Sequence, residues 1–402
     1  MVRPTKSRCA RPVDPAWYRS FGVWKVSVVF CATLGVLMAG GGEVFSVWAE
    51  EISAQPSSTT GSSSEARSLR SLRSLWNPLT WQWVPTSEEI QKYRRSWNPF
   101  SHGPILNTGI DIQPKGQFLI QPFVFSEIAH LRYTNKFGTN SEDSPTHFQA
   151  VAPTVIFAYG ISDHLELNVA PSAIWFQSNT ITSSGDRVPS TSESGNIGDT
   201  TIYLKYRPMV QDPDTWHPSV TIYNGITLPS SQWFGTKGIP GGFSPLGRLP
   251  GTKFGGLSFT EGVLFRKNLK PFRFNGGVYY SYTAPGSTAG MNTYNGDVIN
   301  TRFIIEYIAD DKRGLGFNLE FLTLSGLPFR LDGHNVNLNP TSFNLVGVEP
   351  SIQYKFFHNE NGALVGAAGT LFSIAGQNDL NAIYPNISLY YYWSKKGAPQ
   401  MR

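Results

Sequence analysis

The amino-acid sequence predicts an all-β fold, a single antiparallel transmembrane β-barrel of the outer-membrane type with about twelve strands. Three observations predict it: strand-like segments recur along most of the chain, the connections between them alternate in length, and polar and apolar residues alternate within them. Of the 402 residues 40% are apolar and only 15% are charged, which excludes a disordered chain. After residue 49 no run of roughly 20 apolar residues could form a membrane-spanning helix.

The first 49 residues are typical of a secretory signal peptide. Six basic residues precede an uncharged, mostly apolar run over residues 26–42, and a cleavage site is expected after Ala49. A membrane anchor is the alternative interpretation, but the apolar run is short for a spanning helix and is interrupted by polar residues and glycines. The sequence therefore predicts export across the inner membrane.

Removal of this segment changes what the composition implies. Both cysteines, Cys9 and Cys31, lie within it, so the mature chain is expected to contain no disulfide and no thiolate metal site. The remaining chain has 27 basic and 26 acidic residues, against 33 and 28 in the whole sequence. The positive excess belongs mainly to the signal, and no nucleic-acid partner is predicted.

Two further segments precede the predicted barrel. Residues 50–75 are rich in Ser, Thr and Gly and predict a flexible arm. Residues 76–115 predict a Trp-rich periplasmic segment with a short helix, which begins after Thr86 as N-cap, has Glu89 three residues later and carries basic residues near its end. This segment would plug the periplasmic mouth, anchor at the membrane interface or pack under the barrel floor. Its tryptophans are Trp76, Trp81, Trp83 and Trp97.

Twelve segments rich in Phe, Tyr, Ile, Val and Thr predict the strands of a barrel domain over residues 116–394, followed by a tail at 395–402. Ten or more residues per segment match the span of a tilted transmembrane strand. The segments are 116–133, 147–159, 165–176, 197–207, 217–230, 253–266, 272–283, 296–309, 315–326, 341–357, 363–375 and 380–394.

The lengths of the connections between strands distinguish the two ends of the predicted barrel, with short turns at one end and long loops at the other. Tight periplasmic turns and long external loops are typical of outer-membrane barrels, whereas a soluble β-sandwich has no reason to sort its loops in this way. Connections 208–216 and 376–379 depart from the pattern. Five-residue connections lie at 160–164, 267–271, 310–314 and 358–362, and longer ones at 134–146, 177–196, 231–252, 284–295 and 327–340.

Alternation within the strands separates a lipid-facing from a lumen-facing side. Within residues 201–207, Lys205 and Arg207 lie on one face while Ile202 and Leu204 lie on the other. Basic residues on the lipid face near the midplane would cost about 2 to 4 kcal/mol, so charged residues are expected to point into the lumen. The candidate lumen residues are Glu127, Glu166, Lys205, Arg207, Arg273, Arg302, Glu306, Glu320, Glu349 and Lys355.

The candidate lumen residues allow two interpretations. They would line a constriction that selects solutes by charge, or they would form mutually neutralising ion pairs inside a narrow barrel. Glu306 and Glu320 come from neighbouring strands and are costly to bury together, which favours a watery interior. As a set, the charges predict a polar lumen.

Two short motifs carry a family resemblance. Residues 197–206, Ile-Gly-Asp-Thr-Thr-Ile-Tyr-Leu-Lys-Tyr, resemble the Gly-Asp-then-strand motif of a family of outer-membrane transporters named after the phenol meta-cleavage pathway. The turn at 159–167 is similar to that family's turn between adjacent strands, and the resemblance spans roughly residues 110 to 394. The resemblance implies a barrel that conducts or binds small solutes, hydrophobic or aromatic compounds among them.

No pattern indicates an enzyme or a bound cofactor. The seven histidines are scattered, with no pair spaced to place two imidazoles on one strand or helix face, so no metal site is predicted. No Gly-x-Ser-x-Gly elbow is present and no catalytic residue is predicted, although triads assemble in space and catalysis is kept as a minor alternative.

The function predicted from the sequence is passive diffusion of small, hydrophobic or aromatic solutes through a bacterial outer-membrane channel, with membrane lipid and the solute as partners. The alternative is a closed structural or adhesive barrel that acts through its external loops. In the loop at 231–252, Trp233 and Phe234 would fold inward as a constriction, form an apolar capture surface or pack within the loop. The sequence leaves the oligomeric state open.

Overall fold

The computed structural model describes residues 84–107, 109–180, 190–233, 256–288, 291–294, 296–328, 330–335, 342–359 and 362–394. The predicted signal peptide (1–49), arm (50–75) and tail (395–402) lie outside the described residues, as do Trp76, Trp81, Trp83 and Phe234. No helix in the described part of the chain is long and apolar enough to cross a membrane.

Two short helices and eighteen strand segments make up the described structure. The helices are α1 (Ser87–Arg95) and α2 (Ser230–Trp233). The strands are β1 (Gln117–Tyr133), β2 (Ser141–Ser162), β3 (Leu165–Ala170), β4 (Ala173–Thr180), β5 (Ser190–Ile197), β6 (Thr200–Met209), β7 (Ser219–Leu228), β8 (Ser258–Leu269), β9 (Phe272–Thr283), β10 (Gly286–Thr288), β11 (Met291–Tyr294), β12 (Val298–Asp310), β13 (Leu315–Gly326), β14 (Arg330–Leu331), β15 (His334–Asn335), β16 (Phe343–His358), β17 (Ala363–Gln377) and β18 (Leu380–Ser394).

Fourteen of these segments form one closed antiparallel sheet. The first strand, β1, pairs with β2 on one side and with the last strand, β18, on the other, which closes the barrel. Segments β3 and β4 belong to one barrel strand interrupted at residues 171–172, and β5 and β6 belong to another interrupted at residues 198–199. The barrel therefore has twelve strands, and the predicted fold class is confirmed.

Strand ends differ from the predicted segments mainly on the long-loop side. Residues 177–196, expected to form a loop, contain the end of β4 and most of β5, and β2 begins at Ser141 and not at residue 147. These stretches are rich in Ser, Thr and Asn, because strands that continue beyond the hydrocarbon layer need no apolar outer face. On the opposite side two connections shorten to two residues, 163–164 and 270–271, which strengthens the asymmetry.

Side-chain burial follows the predicted alternation. On β12, Ile299 is 50% exposed and Phe303 is 43% exposed, whereas Ile304 and Glu306 are fully buried inside the barrel. Large apolar residues repeat this outward exposure around the barrel, for example Val278 on β9 and Ile352 on β16. The outer surface is therefore compatible with lipid.

The interior is apolar over part of its wall, which corrects the expectation of a polar lumen. One apolar cluster, here called the apolar wall, joins six strands through Phe125, Ala129, Phe148, Ala150, Ile174, Leu322, Leu371, Ala382 and Tyr384. A second cluster contains Tyr203, Tyr223 and Tyr279, with the rings of Tyr203 and Tyr223 stacked at 4.8 Å between centroids. The charged residues lie mainly closer to the short turns.

Candidate functional site: a lumen occupied by the N-terminal segment

Helix α1 lies at the short-turn end of the barrel. It has the predicted capping box, in which Thr86 and Glu89 bond each other's backbone N–H groups. Lys92 reaches Asp212 at 2.6 Å in one turn, and Arg94 reaches Asp163 at 2.8 Å in another. These ion pairs are partly exposed, and each contributes less than about 1 kcal/mol of stability. They therefore fix the orientation of the helix but stabilise its position only weakly.

Trp97 connects the helix to the barrel rim. Its Nε1–H donates to Asp311 Oδ2 at 2.9 Å, in the turn between β12 and β13. The structure thus places Trp97 against the short-turn end of the barrel. Trp233 ends helix α2 on the long-loop side, and the two tryptophans are not brought together at one end.

Residues 98–115, here called the lumen segment, continue from the helix into the barrel. The backbone N–H groups of three of its residues donate to wall side chains: Gly103 to Gln353 at 2.6 Å, Ile105 to Glu320 at 2.6 Å and Gln113 to Glu166 at 2.7 Å. Two of the acceptors belong to the neighbouring strands β16 and β13, and the third belongs to β3, which lies across the barrel from them. The segment therefore crosses the lumen.

Asp111 is the central charge of the lumen segment. It forms ion pairs with Arg266 and, at 3.6 Å, with Arg207, and it accepts the hydroxyl of Tyr93 at 2.6 Å. Burial raises the pKa of Asp111, but the guanidinium groups of Arg266 and Arg207 outweigh this effect and hold its pKa below the ordinary value. The carboxylate therefore stays ionised well into the acid range.

A second charged cluster fixes the beginning of the lumen segment. Arg273 pairs with Glu306 across β9 and β12, and its guanidinium also donates to the hydroxyl of Ser101 and to the carbonyl of Pro99 at 3.1 Å. Ser101 in turn donates to Glu306 at 3.1 Å. The segment therefore adds hydrogen bonds to an ion pair that the barrel wall already forms.

Lys205 binds the segment through its backbone. Its ammonium group pairs with Glu166 at 2.8 Å and donates to the carbonyls of Gly109 at 2.7 Å and Asp111 at 2.8 Å. A lysine has three donors, so these contacts use its full capacity. The interpretation of the charges as ion pairs thus describes Lys205, Arg207, Arg273, Glu166 and Glu306.

The remaining predicted lumen residues have other surroundings. Glu306 lies opposite Asn318 on β13, so the predicted conflict between Glu306 and Glu320 is replaced by a direct cross-strand pair of Glu320 and Glu349. Glu127 is buried on β1, Lys355 is half-buried near the short turns, and Arg302 is half-buried on β12.

Glycine allows the lumen segment to approach the wall at Gly160 of β2. A Cβ atom there would lie 2.2 Å from the carbonyl oxygen of Pro114 and 2.4 Å from that of Gln113. Both atoms belong to backbone, so neither can move without displacing the segment. The contact explains the glycine in a strand that would otherwise favour a larger residue.

Substitution Gly160→Ala is expected to destabilise the seated lumen segment by about 1 to 3 kcal/mol, because the added methyl group overlaps two backbone oxygens. Limited proteolysis within residues 98–115 should become several-fold faster while the barrel stays folded. Gly138→Ala is the matched control, since a Cβ atom there meets nothing within 4 Å. Equal cleavage in the two variants would contradict the close contact.

His102 is a buried titratable group of the lumen segment. Its ring lies 4.3 Å from that of Tyr390 between centroids, Nδ1 lies 3.0 Å from the carbonyl of Gly103, and Nε2 has no hydrogen-bond partner among the described residues. Burial lowers the pKa of His102 to about 4, an effect that the Gly103 carbonyl and Glu306 only partly oppose.

The lumen segment is therefore expected to loosen in mild acid. Released His102 would have an ordinary pKa of about 6.5, so its contribution to the seated state is complete above pH 6.5 and is lost as the pH falls towards 4, by up to about 3 kcal/mol. Protease sensitivity of the segment should rise between pH 6.5 and 4. In His102→Phe, which keeps a ring against Tyr390 but cannot be protonated, the rise should be smaller; an unchanged pH dependence would contradict this role.

Sequence reasoning missed Ser101, His102 and Asp111 as site residues. Their stretch has no strand or helix periodicity, and its only signal is the presence of isoleucines in a region without a predicted element. Ile105, Ile110 and Ile112 are all buried in the structure.

A cavity of about 360 Å³ lies between the lumen segment and the barrel wall. Its apolar lining includes Phe123, Phe125, Leu322, Leu324 and the rings of Tyr203 and Tyr223. Polar groups from the lumen segment, among them Asn107 and Gln113, form part of its floor. A cavity of about 150 Å³ already binds benzene, so this space is large enough for a small aromatic molecule.

Within the described residues no group of three or more His, Cys, Asp or Glu has the arrangement of a metal site. Two histidines of neighbouring strands do meet: His130 on β1 and His147 on β2 lie 4.6 Å apart between ring centroids. The pairing arises from neighbouring strands and not from spacing along one strand, so the sequence pattern could not show it.

Comparison with proteins of known structure supports the fold of this chain. No protein-family description and no characterised protein sequence matches this chain. An outer membrane channel from Pseudomonas putida F1 is similar in structure, with a TM-score of 0.51 and 12% identity over 71% of this chain and 98% of that chain.

Two further barrels are less similar. The translocator domain of the autotransporter NalP from Neisseria meningitidis has a TM-score of 0.38 and 9% identity, over 70% of this chain and 90% of that chain. The toluene transporter TodX from P. putida has a TM-score of 0.32 and 8% identity, over 70% of this chain and 91% of that chain. At these TM-scores the two barrels carry no argument about this chain.

Proposed function

We propose that this protein lies in the bacterial outer membrane and lets small hydrophobic or aromatic solutes pass by diffusion through its lumen. The observation that carries the proposal is the cavity between the apolar wall and the lumen segment, since Phe125 and Leu322 of the wall line it directly. Apolar pockets with a few polar groups are the usual sites for such solutes. No catalytic residue is assigned.

The lumen segment acts in this proposal as a plug. Its hydrogen bonds to strands on different sides of the barrel place backbone across the path from the cavity to the short-turn end. A solute in the cavity therefore reaches the periplasm only when the plug shifts. Trp97 and helix α1 lie at the same end and orient the beginning of the plug.

The family resemblance supports the same function. The motif at 197–206 contains the break between β5 and β6, where Asp199 is fully buried and accepts a hydrogen bond from the Ser231 backbone at 3.2 Å. The Gly-Asp pair thus has a structural role at the point where the barrel strand is interrupted. Membership of the transporter family named after the phenol meta-cleavage pathway is part of the proposal.

The test measures entry of a hydrophobic fluorescent amine, N-phenyl-1-naphthylamine, into cells that carry the full chain in their outer membrane. Leu322→Trp, which fills the cavity, is expected to reduce entry towards that of cells without the protein. Val278→Trp is the matched control, because Val278 faces lipid and is 52% exposed. Equal entry with wild type and Leu322→Trp would contradict the proposal.

The second candidate is a closed barrel that acts through its external loops. It is favoured by the small sheet of β10, β11, β14 and β15, in which segments of two long connections pair with each other. A structural or adhesive barrel predicts no solute entry with any variant. The same experiment therefore separates the two functions.

A further inference from the structure

The cations that line the cavity differ in whether they have a partner. Lys205, Arg266 and Arg273 each form an ion pair with a carboxylate of the barrel or of the lumen segment. Arg302, which also lines the cavity, forms no ion pair within the described part of the chain. Among the described residues, Arg302 has one hydrogen bond, from Nε to Asn300 Oδ1 at 3.3 Å.

Arg302 lines the cavity, and it interacts electrostatically with Glu320 and Glu349 without forming an ion pair with either of them. Its guanidinium carbon lies 5.5 Å from the centroid of the Tyr279 ring, which supports one face of the group. The residue is half-buried, so part of its surface stays accessible. The cross-strand neighbour on β9 is Gly277, which has no side chain to cover the guanidinium. A planar, forked donor is thus available to a ligand.

The apolar wall begins directly beside this cation. Leu322 is the cross-strand partner of Arg302 on β13, and it is a member of the apolar wall together with Phe125 and Tyr384. A molecule with its acidic group at Arg302 would therefore lay its hydrocarbon part on Leu322 and Phe125. Arginine is the side chain best suited to a carboxylate, since it binds both oxygens at once.

Three carboxyl groups of the barrel lie near this region, but none of them occupies the position beside Arg302 in the cavity. Asp199 also lines the cavity, but it is fully buried and accepts hydrogen bonds from the N–H and hydroxyl of Ser231. Glu320 and Glu349 are buried in the wall and do not line the cavity. Arg302 thus presents the accessible charge.

We propose that the cavity is selective for anionic amphiphiles, small aromatic or aliphatic carboxylates whose acidic group binds Arg302 while the hydrocarbon part rests on the apolar wall. This proposal rests on the proposed function and names the substrate class of the same site. Arg302 is its specificity-determining residue, and neutral solutes of the same size bind more weakly.

Two probes of equal size test the inference: 3-phenylpropanoate and its neutral amide, 3-phenylpropanamide. Binding of each to the full chain in lipid nanodiscs is measured by calorimetry, with empty nanodiscs as blank. Wild type is expected to bind the carboxylate about tenfold more tightly than the amide, as for a charge-assisted hydrogen bond. Arg302→Gln should remove this preference, mainly by weakening the binding of the carboxylate, and Arg302→Lys should keep part of it.

The outcomes separate the two proposals. Arg132→Gln is the control, since Arg132 pairs with Glu142 at 2.8 Å outside the cavity and should leave the preference intact. Equal binding of both probes to wild type overturns the anion selectivity and leaves the hydrophobic-solute channel standing. Binding of neither probe overturns the cavity as a solute site. An unchanged preference for the carboxylate in Arg302→Gln would overturn the role of Arg302.

Discussion

Deletion of residues 84–113 is expected to raise the single-channel conductance of the barrel several-fold. The deletion removes helix α1 and most of the lumen segment, so the space that the segment fills becomes available to water and ions. It leaves intact the pairings of β1 with β2 and with β18 that close the barrel. The measurement is ion current in planar bilayers, comparing the deletion with the full chain.

Far-ultraviolet circular dichroism controls for folding of the deletion variant. Arg207 and Arg266 lose Asp111 as partner, so the larger current is expected to prefer anions. A folded deletion variant with the conductance of the full chain would contradict the role of the segment as plug. The closure would then have to lie on the long-loop side.

Substitution Asp111→Ala is expected to destabilise the protein by about 3 to 5 kcal/mol, because it leaves the buried Arg266 and Arg207 without their common partner. The hydroxyl of Tyr93 loses its acceptor as well. Urea unfolding in detergent measures the effect, and limited proteolysis shows whether the lumen segment is released first. Asp111→Asn, which keeps the shape but not the charge, should be intermediate.

A surface ion pair provides the comparison for Asp111. Asp214 pairs with Lys92 at 2.8 Å, but its side chain is 75% exposed. Asp214→Ala should therefore cost less than about 1 kcal/mol. If the two alanine substitutions destabilise equally, the cluster around Asp111 does not hold the lumen segment.

Much of the barrel could be predicted from the sequence because its physics is local. A strand between lipid and lumen must alternate, so the parity of Lys205 against Leu204, or of Glu306 against Ile305, fixes which side faces inward. Helix α1 was predictable for the same reason, since its capping box lies within four residues. The ends of β4 and β5 could not be predicted. Outside the hydrocarbon layer no lipid contacts the strands, so their sequences need not alternate between polar and apolar residues.

The path of the lumen segment could not be predicted, because its contacts are distant in sequence. The backbone N–H of Ile105 donates to the carboxylate of Glu320, 215 residues away in sequence. The backbone N–H of Gly103 donates to the side-chain amide of Gln353, 250 residues away. The same holds for the apolar wall, which collects single residues from six strands. Sequence periodicity shows that these residues face inward but not which of them meet.

The barrel strands differ in length, so the barrel wall is taller on one side than on the other. At about 3.3 Å per residue, the 22 residues of β2 extend over roughly 70 Å, whereas the 10 residues of β7 extend over about 33 Å. A tilted strand needs only about 9 to 11 residues to cross the hydrocarbon layer, so about half of β2 extends beyond that layer. That tall edge carries Arg132, Glu142 and Asp143. These three charged residues therefore lie beyond the hydrocarbon layer on the long-loop side, where β1 and β2 pair with each other.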